Sequence, residues 1–162
     1  MIIVEKVVVI GIGNILMKDD GIGPKLVKQI KRSAGRMGIQ CIYSAVSDLA
    51  ILAEMEKADA VMFVDAVDFG GYAGQAIMLD ETDLKKAPPQ NPWTMHRIGL
   101  LEALRIARNQ NIRPVVKIIG VQPAEIEWGL ELSNALQAKM PILGSIVMSQ
   151  ARLLKSAKQK GD

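Results

Sequence analysis

The stretch VVVIGIGNILMKDDGIGPKLV, from Val7 to Val27, decides the fold of this 162-residue chain. Its first residues are β-branched and continuously apolar, which is typical of a strand buried on both faces of a parallel sheet. Gly11 and Gly13 end that run, and Pro24 stands where the first turn of a helix is expected. The stretch therefore predicts a strand, a tight loop and a helix in immediate succession.

Composition limits the class of protein. Because 49% of the residues are hydrophobic, the chain can bury a sizeable core, and we expect a single domain over residues 1–162. Cys41 has no partner for an intrachain disulfide, and neither a signal peptide nor a membrane-spanning run is visible, so we expect a cytoplasmic protein without membrane contact.

The net charge of +3 is mild and the basic residues are scattered, which does not indicate a nucleic-acid partner. The basic tail, 155–160, is expected to be the fraying end of the last helix.

Hydrophobic periodicity predicts alternating strands and helices. The predicted strands span 6–10, 39–43, 60–64, 75–79 and 115–120, and the predicted helices span 21–37, 48–57, 95–109 and 133–155. The Gly-rich link before the fourth strand is too short for a crossover helix, so that strand should be antiparallel at an edge. Residues 80–93 are expected to form a polar, proline-rich loop. The pattern predicts an α/β three-layer sandwich with a five-stranded, mostly parallel, twisted sheet of order 2-1-3-5-4 and helices on both faces.

Acidic residues follow two of the strands, where open sheets of this class bind ligands. Asp19 and Asp20 come after the first strand, Asp65 after the third, and His96, the only histidine, begins the helix before the fifth. A helix N-cap explains one of the two adjacent aspartates and leaves the other surplus. Asp20, Asp65 and His96 then offer two carboxylates and an imidazole, an open ligand set that suits zinc, nickel or iron.

A nucleotide-binding domain is the least favoured alternative. Gly11 and Gly13 begin a dinucleotide fingerprint, but its third glycine would fall at Leu16. Two aspartates at the helix start would also repel a phosphate. A covalent nucleophile is not indicated either, because Cys41 lies within a predicted strand with no histidine beside it in the sequence.

Four motifs carry a resemblance that runs in order through nearly the whole chain. They are GIGNILMKDDGIG at 11–23, VDAVDFG at 64–70, TMHRIGL at 94–100 and GVQPAEI at 120–126. Together they resemble the nickel-iron hydrogenase maturation endopeptidases, and most closely the branch that serves formate-linked or energy-converting hydrogenases. The resemblance implies that Asp20, Asp65 and His96 bind the metal and carry the catalysis.

That resemblance also implies a substrate. The family removes a C-terminal extension from the [NiFe] hydrogenase large-subunit precursor after nickel insertion, and the metal recognised is the nickel that the precursor supplies. Zinc or cadmium is expected to be able to occupy the same site. The protein is expected to be a monomer. A nickel-binding accessory protein that keeps the site without hydrolysis stays open as an alternative.

Substrate contacts are expected from two loops. Gly13, Asn14 and Asp19 lie in the first loop, and Gln122 and Glu125 lie in the GVQPAEI segment. For the last two, loop geometry around a proline is the competing explanation.

Many relatives carry Asp-Gly-Gly after the second strand, whereas residues 43–45 here read Tyr-Ser-Ala. Either Asp48 replaces that aspartate, or it caps the next helix, as Ser47 also could.

Overall fold

The computed structural model describes residues 2–44, 49–87 and 96–159, and its centre is one five-stranded sheet. The strands are β1 (Val7–Ile12), β2 (Ile39–Ser44), β3 (Ala60–Ala66), β4 (Ala76–Asp80) and β5 (Val115–Val121). Their order is β2-β1-β3-β5-β4, and β4 alone of these five runs antiparallel to its neighbour. The predicted order and the antiparallel edge strand are confirmed.

Helices cover both faces of this sheet. They are α1 (Ile22–Arg36), α2 (Leu49–Lys57), α3 (Glu81–Lys86), α4 (Arg97–Asn109) and α5 (Asn134–Ser156). One apolar core joins α1 and α5 to one face, and a second core joins α2 and α4 to the other, which confirms the three layers. No helix within the described ranges has the length and apolarity needed to cross a membrane.

Two glycines bring α1 into backbone contact with the sheet. A Cβ atom added to Gly23 would lie 2.2 Å from the carbonyl oxygen of Val64 and 2.5 Å from that of Ile12. A Cβ atom added to Gly11 would lie 2.5 Å from the carbonyl oxygen of Gly23. Only glycine permits these approaches, so the first turn of α1 is buried directly against β1 and β3.

The structure corrects the predicted loop at 80–93 in its first half. Residues Glu81–Lys86 form α3, because Asp80 accepts hydrogen bonds from the amides of Thr82 and Asp83 while Asp83 accepts one from the amide of Asp80. This reciprocal capping starts a helix that hydrophobic periodicity alone did not indicate. Residues 88–95, the proposed capping residues Ser47 and Asp48, and Ala45 lie outside the described residues.

Two further expectations change. The tail does not end as a frayed helix, since Lys158–Gln159 pairs antiparallel with Ile2–Ile3 in a two-residue ribbon. Strand β3 is also longer than predicted and reaches Ala66. Asp65 therefore lies inside the strand and not after it.

We predict that Gly23→Ala destabilises the protein by about 3 kcal/mol, because the added methyl group meets backbone atoms that cannot rotate away. Gly35→Ala is the matched control in the same helix, where an added Cβ meets nothing within 4 Å. It should stabilise the fold by about 0.5–1 kcal/mol through higher helix propensity. Urea unfolding followed by circular dichroism measures both, and equal midpoints for the two variants would contradict the packing described here.

Candidate metal centre

Three side chains that are far apart in sequence meet at the carboxyl end of the sheet. One ligand atom from each of Asp20, Asp65 and His96 lies within 4.8 Å of the other two. The Nδ1 atom of His96 is 3.1 Å from Oδ1 of Asp65, and its Nε2 atom is 3.8 Å from Oδ2 of Asp20. The imidazole thus stands between two carboxylates.

Asp20 is positioned by the loop between β1 and α1. A short 3-10 helix, Lys18–Gly21, carries it, and its Oδ2 atom accepts a 2.8 Å hydrogen bond from the amide of Asn14. Gly13 has φ +146°, and a Cβ there would lie 1.9 Å from the carbonyl oxygen of Asp20. The predicted residues Gly13 and Asn14 therefore support Asp20 directly through the backbone.

Asp65 reaches the same place from the sheet. It shares a face of β3 with Phe63, which belongs to the core that packs against α4. Helix α4 begins immediately after His96, so strand and helix present carboxylate and ring to each other.

Burying the carboxylates of Asp20 and Asp65 together is energetically unfavourable unless a positive charge lies near them. The exposed fractions of Asp20 and Asp65 are 2% and 1%. Two carboxylates so close together in a poorly hydrated site repel each other unless a cation lies between them. The donor set thus fits a divalent ion bound by oxygen and nitrogen.

The pKa of His96 reflects these opposing influences. Desolvation lowers it, but the hydrogen bond to Asp65 and the negative charges of Asp65 and Asp20 outweigh that effect and raise the pKa above the ordinary value of 6.5. In the metal-free protein the ring is therefore more readily protonated than a free histidine. A bound divalent ion would take the place of that proton, since a metal requires the neutral ring.

Arg97 anchors the start of α4 beside His96, a role that the sequence reasoning missed. Its buried guanidinium donates to the carbonyl oxygen of Leu84 at 2.9 Å and to that of Ala87 at 2.6 Å. These carbonyls belong to the end of α3, where a cation also complements the helix dipole. The TMHRIGL motif contained this signal, because an arginine directly after the histidine can hold the backbone there.

Asp19 has a different role from its neighbour. The expectation that Asp19 or Asp20 caps a helix is wrong, since neither the 3-10 helix nor α1 has a side-chain cap. Asp19 is completely buried, and its carboxylate accepts hydrogen bonds from the amides of Ala124, Glu125 and Ser133 at 2.8–2.9 Å. Asp19 therefore ties the loop before α1 to the segment that ends at Ser133, and the substrate contact predicted for it stays a prediction.

Gln122 is likewise occupied by the protein itself. Its Oε1 atom accepts hydrogen bonds from the amides of Phe69 and Gly71, and its Nε2 atom donates to Asp68. With an exposed fraction of 7%, it holds the turn after β3, and the substrate contact predicted for it stays a prediction.

Glu125 lies at the surface in an ion pair. Its carboxylate is 2.6 Å from Nζ of Lys18, which also pairs with Glu127 at 2.5 Å. These hydrogen bonds raise the pKa of Lys18 above its ordinary value. The ion pairs tie the loop that carries Asp20 to the GVQPAEI segment, and the prediction of a substrate contact at Glu125 stays a prediction.

Cys41 lies apart from this cluster. It is buried in β2, and desolvation raises the pKa of its thiol to about 11. A thiol with such a pKa stays protonated near neutral pH and is a poor nucleophile.

We predict opposite effects for two isosteric, charge-removing substitutions. Asp19→Asn should destabilise the protein by about 3 kcal/mol, because its new NH2 group faces a backbone N–H and one of three charge-assisted hydrogen bonds is lost. Asp20→Asn keeps an acceptor for Asn14 and should change stability by less than about 1 kcal/mol. Urea unfolding measures stability and calorimetric titration with cadmium measures ion binding, which only Asp20→Asn should lower directly. If Asp20→Asn lowered stability and Asp19→Asn lowered ion binding, Asp20 would be the structural residue and Asp19 the ligand.

We also predict the titration of His96. Its pKa in the metal-free protein should lie above 6.5, and Asp65→Asn should lower it, because burial is then opposed only by Asp20. Protonation of His96 accordingly stabilises the folded state below pH 6.5, and this contribution is lost as pH rises through the higher folded-state pKa. Since the chain has one histidine, its ring protons give an unambiguous NMR signal. An unchanged pKa of His96 in Asp65→Asn would show that the hydrogen bond to Asp65 does not raise it.

Sequence comparison places the chain among known protein families. Residues 44–150 match the family model described as hydrogenase maturation protease. The hydrogenase expression/formation protein HupD of Rhodobacter capsulatus is 29% identical over 84% of this chain, and the match spans 66% of that relative's length, just under two thirds. The hydrogenase 2 maturation protease of Escherichia coli is 24% identical, with 82% of each chain covered.

Solved structures show the same fold. The hydrogenase maturating endopeptidase HybD from E. coli has a TM-score of 0.75 at 20% identity, covering 91% of this chain and 92% of its own. The [NiFe] hydrogenase maturation protease HycI from Thermococcus kodakarensis KOD1 has a TM-score of 0.71 at 25% identity, covering 94% of each chain. The family model spans well over half of the sequence, so the chain belongs to the hydrogenase maturation proteases, a family of peptidases.

Proposed function

We propose that this protein is an endopeptidase that removes the C-terminal extension of a [NiFe] hydrogenase large-subunit precursor after nickel has been inserted. The observation that carries the proposal is the cluster of Asp20, Asp65 and His96, whose ligand atoms lie within 4.8 Å of one another in a member of this family. The names of the relatives, which are hydrogenase maturation and formation proteins, supply the class of substrate.

The donor set suits recognition of an ion that another protein already holds. Carboxylate and imidazole donors can add to nickel without displacing the soft thiolates that we expect to hold it in the precursor. Three protein ligands leave coordination positions for the substrate. Nickel is thus part of the substrate, and the three side chains bind the precursor only when it carries the ion.

Hydrolysis then requires a water molecule and a proton acceptor. The water oxygen forms a bond to the scissile carbonyl carbon, the carbon–nitrogen bond breaks, and the proton is transferred to the leaving amine. Asp20 or Asp65 accepts the proton on the way. Asp65 orients the ring of His96 through its 3.1 Å hydrogen bond, which holds the imidazole in place while substrate binds.

Mass spectrometry of the precursor before and after incubation tests this proposal. The nickel-loaded precursor should lose the mass of its extension, whereas the metal-free precursor should stay intact. His96→Ala should lower the rate at least about a hundredfold without unfolding the protein, because losing even a group that supports a metal ligand typically costs about 10- to 100-fold. Arg105→Ala, in the helix that His96 precedes, is the control, because its side chain is 61% exposed and pairs with Glu102 at the surface.

The outcomes are distinct. Equal cleavage of loaded and metal-free precursor would contradict the dependence on nickel, and an unchanged rate for His96→Ala would remove this residue from the site. Stable binding of the loaded precursor with no loss of mass would instead support the accessory protein. The formate-linked branch and the monomeric state stay predictions.

A further inference from the structure

A basic groove lies beside the candidate centre, between α1 and the edge strand β2. Its volume is about 560 Å³. Val27 of α1 and Tyr43 of β2 line it, together with Ile15 and Leu130. Three of these side chains are exposed although they are large and apolar, with exposed fractions of 74% for Tyr43, 62% for Leu130 and 50% for Ile15.

One end of the basic groove adjoins the loop that carries Asp20. The Cα atom of Ile15 would lie only 2.9 Å from a Cβ placed on Gly21, the residue that follows Asp20. Along the sheet, Tyr43 is paired with Gly11, and Gly11 is paired with Val64, the neighbour of Asp65. Two strand spacings separate Tyr43 from Val64, a distance of roughly 10 Å. An extended peptide covers that distance with about three residues.

Among the residues that the structure describes, the charged side chains lining the basic groove are all positive. Lys25, Lys28 and Lys31 follow one another at three-residue intervals along one side of α1 and all line it. Lys25 also donates a hydrogen bond to the carbonyl oxygen of Leu130, and the charge of Lys31 acts on the buried thiol of Cys41. The described residues that line the groove include no acidic side chain.

We propose that the basic groove binds the C-terminal extension of the precursor and holds its terminal α-carboxylate against Lys28 and Lys31. This inference rests on the proposed function. Any C-terminal extension ends in a negative charge, which complements the lysines, while its apolar side chains can cover Ile15, Tyr43 and Leu130. Under this proposal, the centre recognises the ion on one side of the scissile bond, and the groove recognises the peptide on the other side.

Binding of a synthetic peptide tests the groove without any need for catalysis. The peptide has the sequence of the C-terminal extension of the large-subunit precursor and is prepared with a free carboxylate or as the amide. We expect the free acid to shift the methyl NMR signals of Ile15, Val27 and Leu130, and the amide to bind roughly three- to tenfold more weakly.

Charge reversal with a matched control tests the lysines. Lys28→Glu and Lys31→Glu should each raise KM for the nickel-loaded precursor roughly three- to tenfold and leave kcat nearly unchanged. Arg32→Glu makes the same change of charge at an exposed neighbouring position of α1 that does not line the groove, and it should leave KM unchanged.

Each other outcome overturns the proposal or separates it from the proposed function. Equal KM values for all three variants, or peptide-induced shifts only outside the groove, would overturn it. Groove signals that shift with protein concentration alone would make a second copy of this chain the occupant, which also overturns it. If no precursor is cut but the free-acid peptide binds the groove, the peptidase proposal fails while the docking surface stands.

Discussion

The whole site depends on one close contact between backbones, that of α1 with β1 and β3 at Gly23. Because no Cβ intervenes, the helix can start deep against the sheet, and the loop before it must fold back over a short distance. That compact loop places Asp20 over the carboxyl end of the strands, where Asp65 already lies. A larger residue at this contact would lift the helix and with it one of the three candidate ligands.

Two neighbouring aspartates divide the work of this loop. Asp19 directs its carboxylate into the protein and satisfies three backbone amides. Asp20 directs its own toward the imidazole of His96. The ion pairs of Lys18 with Glu125 and Glu127 support the same junction from the surface. The site is thus organised by the protein before any ion arrives, which is the condition for selective recognition.

Sequence patterns predicted what depends on local regularity. The buried parallel strands followed from continuous apolar runs, and the antiparallel edge strand followed from a link too short for a helix. The three clustered residues followed from their places at strand and helix ends. Contacts distant in sequence were not predictable in this way. Nothing local distinguishes Asp19 from Asp20, because their roles are set by the amides of Ala124 and Ser133 more than a hundred residues away. The helix α3 was missed because two aspartates, and not apolar periodicity, start it.

The composition of the ligand set bears on how the protein treats free nickel. Its three donors meet at the carboxyl end of the sheet, and two of them are carboxylates, which are harder ligands than thiolates. Under the proposed function, free nickel binds weakly here, since the remaining ligands must come from the precursor. The protein would then respond to nickel that the precursor already holds, and it would compete little for free nickel.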